Sequence, residues 1–99
     1  MDVEIFQSPQ THSSYRVVMR GDGFILCYRD IGEDGYRIRV QATSEDPAAR
    51  FSFLVYCLGR LDGKGQKWWG HHVKDGDHLS MVTQDKGKGL ASALNMLDI

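Results

Sequence analysis

Residues 46–61, DPAARFSFLVYCLGRL, constrain the fold more than any other stretch of the chain. Asp46 can accept backbone N–H groups that a helix start leaves without partners. Pro47 follows at the first helical position, where its missing N–H costs nothing. Ala48, Phe51, Leu54, Val55, Leu58 and Leu61 then recur at the spacing of one helical face, and Arg50, Ser52 and Arg60 fall outside it. The competing assignment is a buried strand over 51–58, kept open by Phe53, Tyr56 and Cys57, which lie off that stripe. The specific start signal and the long periodicity favour the helix. Such a helix needs a sheet to cover.

The preceding residues supply one. Residues 3–6 form a short apolar run followed by Pro9, which reads as an edge strand and then a polar loop over 7–14. Residues 15–20 alternate, with Tyr15, Val17 and Met19 on one side and Arg16, Val18 and Arg20 on the other. Gly21-Asp22-Gly23 marks a turn. Residues 24–29 continue with Phe24, Leu26 and Tyr28 opposite Ile25, Cys27 and Arg29, and a second turn signal covers 32–35. Residues 36–41 set Tyr36, Ile38 and Val40 against Arg37, Arg39 and Gln41. These segments predict an antiparallel meander with one apolar face under the helix. Beyond the helix, 67–73 and 78–83 read as a second hairpin, and 88–97 as a short terminal helix with Leu90, Leu94 and Leu97 on one face. The expected fold is therefore α+β, one domain over residues 1–99.

Composition sets limits on function. A net charge of −1 argues against a globally basic nucleic-acid binder and against an acidic nucleic-acid mimic, while leaving room for a local patch. Cys27 and Cys57 belong to no C-x-x-C pair and sit in apolar segments, so they read as reduced core residues. The first residues carry no basic, apolar leader, and no run approaches the ~18 apolar residues of a membrane span. A cytoplasmic protein is expected, with no membrane association.

Three constellations carry candidate chemistry. Arg16, Arg20, Arg29, Arg37 and Arg39 are five of the seven arginines, and strand alternation puts them on the face away from the helix. Guanidinium groups on a sheet grip carboxylates or phosphates through charge-assisted pairs. The aromatic residues Tyr15, Phe24, Tyr28 and Tyr36 fall on the opposite face in this reading, so an acidic protein surface is the expected partner and nucleic acid the lesser one. A solvated face whose arginine stems cover Val18, Ile25 and Cys27, with Glu4 as counter-charge, is the bland alternative. The second constellation is Trp68-Trp69-Gly70-His71-His72, followed by Asp75, Asp77 and His78. Adjacent tryptophans in a strand point to opposite faces, so one is core and the other a partner anchor. His71 and His78 fall diagonally across the hairpin, but no zinc spacing is matched and no metal or other cofactor is expected.

In the third constellation, residues 81–94, a strand runs through glycines into a helix, which can aim backbone N–H groups at a phosphate. Gln84, Gly87 and Gly89 resemble the acetyl-CoA pyrophosphate loop of the GNAT acetyltransferase family, Q/R-x-x-G-x-G/A. That resemblance implies an acyl-CoA or nucleotide binder and is the enzymatic alternative. The family's usual opening helices have no counterpart here. The same tail is similar to the last helix of double-stranded-RNA-binding domains, with Lys86 and Lys88 at its start. The functional expectation is a non-enzymatic interaction module, an inhibitor or adaptor of a larger complex like many phage and mobile-element accessory proteins. Arg16, Arg20, Arg29, Arg37 and Arg39, with Trp68 or Trp69, are the expected contacts.

Overall fold

The computed structural model describes residues 2–61, 68–71 and 77–99, with 69–71 as backbone. Its order is β1 (Ile5–Gln7), β2 (Ser14–Gly21), β3 (Phe24–Asp30), a 3-10 turn (Gly32–Asp34), β4 (Tyr36–Ala42), α1 (Pro47–Gly59), β5 (Trp69–His71), β6 (His78–Thr83) and α2 (Lys86–Met96). The strands form one antiparallel sheet in the order β1-β2-β3-β4-β6-β5. Both helices pack on the same face, giving the α+β architecture expected from the sequence.

The start of α1 follows its local chemistry. Asp46 is extended, and its carboxylate accepts the Ala48 N–H at 3.0 Å, with Pro47 at the first turn. A cap of this kind contributes about 0.5–2 kcal/mol. The segment is a helix, and the strand alternative for 51–58 falls. The buried stripe is rotated from the expected one, however. Leu54, Cys57 and Leu61 are buried and Phe53 and Leu58 half-buried, whereas Ala48, Phe51 and Val55 are exposed. Residues 51 and 53–58 are apolar almost all the way round, so periodicity alone selects no face. Long-range contacts select it: Phe53 stacks on Phe24 at 5.7 Å, and the Arg50 guanidinium meets the Asp77 carboxylate at 3.0 Å.

Leu26, Ile38, Val40, Leu79 and Met81 from the sheet meet Leu54, Cys57, Ala93 and Met96 from the helices in one core cluster. Each fully buried apolar side chain here contributes about 1.5–3 kcal/mol. The C-terminal helix begins at Lys86, two residues before the expected Lys88, because the Asp85 carboxylate caps it through the Lys88 N–H at 3.1 Å. Gly89 then lies buried where α2 crosses the sheet. A Cβ there would stand 2.7 Å from Thr83 Cγ2 and 2.8 Å from Ile38 Cγ1. Gly35 holds φ at 97°, and a side chain there would also strike the Thr83 carbonyl, so glycine alone fits the entry to β4. The expected first strand, 3–6, is observed as Ile5–Gln7. Of the expected strand 67–73, Trp69–His71 is β5; Lys67, His72 and Val73 lie outside the described residues.

The largest departure is in β2. Val17 pairs with Cys27 but Met19 pairs with Leu26, so β2 carries one extra residue at Val18. An extra residue reverses the alternation of everything on one side of it. Met19 stays with the core under the helices, whereas Tyr15 and Val17 join Ile25 and Cys27 on the open face. Arg16 turns the other way and stands opposite Tyr28, on the helix-bearing side.

Candidate functional site

The centre of the open face, which carries the site, is built from β3, β4 and β6. Cys27 is paired with Arg39 and Arg29 with Arg37, and Arg39 with Ser80 and Gln41 with His78 on the next strand. Residues 8–13 fold over one end of this face. The loop is fastened by the Ser8 N–H to Ser13 carbonyl bond at 2.9 Å and by a 2.8 Å bond between the Ser8 and Thr11 hydroxyls. Its buried Ser8 makes it part of the fold rather than a loose connection. Between loop and sheet lies a cleft of about 440 Å³ lined by Thr11, Ser13, Tyr15 and the three arginines Arg29, Arg37 and Arg39, with His78 and Ser80 at its floor.

Arg39 is the anchor of this cleft, with only 3% of its surface exposed. Its Nε and Nη2 both donate to Gln41 Oε1, at 3.2 and 2.6 Å, and Nη2 also donates to Gln10 Oε1 at 3.2 Å. Gln41 is itself held by the Asp77 and Ala42 carbonyls. The Phe6 and Tyr15 rings lie 5.6 and 5.4 Å from the guanidinium carbon, a cation–π arrangement. Burial draws the Arg39 pKa below its usual range, and the Tyr15 phenol acts in the opposite direction. All its partners are neutral. Arg29 spends one N–H on the Ser14 carbonyl at 3.4 Å. Arg37 makes no hydrogen bond or ion pair with the described residues. Among the described residues, then, three guanidinium groups share a cleft and none has a carboxylate at ion-pairing distance.

The expected five-arginine face therefore keeps four arginines, of which three line the cleft. Arg16 is removed by the extra residue in β2. Arg20 lies opposite Ile25 at the far end of the sheet and pairs with Glu4. The expected separation of arginines from aromatic rings fails for Tyr15, which lines the cleft, while Phe24, Tyr28 and Tyr36 lie on the helix side as expected. Nothing in the residues 7–14, taken locally, points to a cover over the sheet. Their Ser and Thr spacing signals a self-bonded turn, but where it docks depends on the strand pairing.

Trp68 packs half-buried against the core, and its indole N–H donates to Ser92 at 3.1 Å. The Trp69 side chain lies outside the description. His71 pairs directly with His78 in the β5–β6 register rather than diagonally. His78 is buried and lines the cleft, and His72 and Asp75 lie outside the described residues. No three His, Cys, Asp or Glu side chains gather at one point among the described residues. At the glycine motif, Gln84 donates to the Glu33 carbonyl at 3.0 Å, and Gly87 and Gly89 are inside α2 rather than in a loop before it. The Asp85 carboxylate takes the helix-start N–H that a phosphate would use, so the arrangement there favours capping and close packing over anion binding.

Burial holds the Cys27 thiol up at about 12 and the Cys57 thiol at about 11. Both suit packing rather than nucleophilic work. No helix among the described residues is long and apolar enough to cross a membrane. Comparison with protein-family models, with curated proteins and with solved structures finds no match to this chain.

Proposed function

We propose that this chain is a non-enzymatic binding module that docks an acidic segment of a protein partner in the cleft of Arg29, Arg37 and Arg39. One observation carries the reading: three guanidinium groups converge on a shaped cleft and meet no carboxylate among the described residues. Like charges directly opposite on neighbouring strands destabilise a sheet, and an anionic partner converts that cost into affinity. The neutral partners of Arg39 hold its guanidinium in place without cancelling its charge. A module of this kind acts as an inhibitor or adaptor by covering or bridging an acidic surface of a larger assembly. Two free, buried cysteines suit a reducing compartment such as the cytoplasm.

The test is affinity capture from the native host with wild-type and Arg37→Glu baits, read by mass spectrometry. The expected result is an acidic protein held by the wild type, released by salt and missing from the variant. Recovery of the same proteins on both baits overturns the reading.

A further inference from the structure

We infer that the anionic group seated between Arg29, Arg37 and Arg39 is a phosphate monoester carried by the partner, not a side-chain carboxylate. This deepens the docking reading and rests on it. The first argument is donor capacity. A guanidinium has five N–H donors, and a carboxylate has about four lone-pair sites to receive them. Arg37 places none of its donors on the described residues, Arg29 commits one to Ser14, and Arg39 commits Nε and Nη2 but not Nη1 to Gln41 and Gln10. One guanidinium presents at most a two-bond fork to a carboxylate, so Arg29 and Arg37 together fill its lone-pair sites and Arg39 remains over. A phosphate monoester brings three strong acceptor oxygens and a charge of about −1.5 to −2.

The second argument is charge. Arg29 faces Arg37 across one strand pair, and Arg39 follows two residues on along the same face of β4. A carboxylate leaves about two of these three positive charges unbalanced, and a phosphate dianion leaves about one. The third is preorganisation. The Arg39 plane is fixed by two glutamine oxygens and two rings, so little ordering is needed when a ligand arrives. The Thr11 and Ser13 hydroxyls border the same cleft, and its volume of about 440 Å³ admits a phosphorylated side chain with part of its backbone.

The experiment is calorimetric titration of the full chain with two blocked tripeptides, glycyl-phosphoseryl-glycine and glycyl-glutamyl-glycine. The phosphopeptide is expected to bind about tenfold or more tightly than the glutamyl peptide, the ratio expected for one additional charge-assisted hydrogen bond. Arg37→Gln and, separately, Arg29→Gln are expected to weaken phosphopeptide binding by a similar factor, with folding verified by circular dichroism. Equal binding of the two peptides, lost in Arg37→Gln, overturns the phosphate assignment and leaves the acidic-partner reading standing. Phosphopeptide binding that is absent, or is unchanged in both variants, overturns the assignment of this cleft.

Discussion

Arg29 and Arg37 stand directly opposite each other on β3 and β4, on the sheet face that carries no helix. The β-register brings two like charges together, and Arg39 adds a third from the same strand.

This juxtaposition separates stability from binding. Replacing Arg37 by Glu turns a like-charged cross-strand pair into an opposite-charged one. The variant is expected to gain about 0.2–1 kcal/mol. For a chain of this size that is a rise in Tm of roughly 1–8 °C, shrinking as salt is added. The same change is expected to abolish anion and partner binding. Thermal denaturation at low and high salt checks the first half; a lower Tm than wild type contradicts it.

Two neighbouring glycines of α2 are expected to respond in opposite directions. Gly87→Ala meets only the Asp85 carboxylate, at 3.4 Å, and gains helix propensity of up to about 1 kcal/mol. Gly89→Ala drives a methyl group toward Thr83 Cγ2 and Ile38 Cγ1 and is expected to cost about 1–3 kcal/mol. Urea denaturation of the two variants distinguishes a packing glycine from a ligand-loop glycine. Equal effects refute the packing account of Gly89.

Arg50 and Asp77 tie α1 to the start of β6 with side chains 16% and 12% exposed. Arg50 also donates to the Ser44 carbonyl at 2.8 Å. Arg50→Ala leaves the Asp77 carboxylate buried without its cation, at a cost of about 2–4 kcal/mol. Arg50→Lys is expected to recover less than half of that, since a single ammonium cannot span both contacts. The chemical denaturation midpoint reports both changes.

The buried thiols impose an alkaline limit. Cys27 moves from an ordinary 9.0 to about 12 in the fold, and Cys57 from 9.0 to about 11, each through burial. Folded and unfolded thiols are both protonated below pH 9.0, so their contribution to stability is fully present there. Above it the unfolded chain loses protons that the folded chain keeps, and stability falls until the folded thiols ionise as well. The slope approaches about 1.36 kcal/mol per pH unit for each thiol. Unfolding free energies from about pH 8 to about pH 11 are expected to fall less steeply in Cys27→Ala than in wild type. Parallel curves for the two proteins dismiss the thiol explanation.

Local chemistry alone determined several parts of this protein. Asp46 and Pro47 declared the start of α1. Strict alternation of Tyr36, Ile38 and Val40 against Arg37, Arg39 and Gln41 declared both faces of β4, and the glycine turns declared the meander. These signals are short-range: capping, φ preference and period-two alternation act within a few residues. The tertiary structure decided which face of an almost wholly apolar α1 is buried, through the contacts of Phe53 with Phe24 and of Arg50 with Asp77. It decided where the alternation of β2 breaks, because an extra residue at Val18 has meaning only against the partner strand. That break brought Tyr15 to the open face and took Arg16 from it. The docking of residues 8–13 over the sheet then made a cleft of three arginines out of a face expected to hold five. Strand register and loop closure are settled by the pairing of residues distant in sequence, so the arginines were legible one by one and their convergence was not.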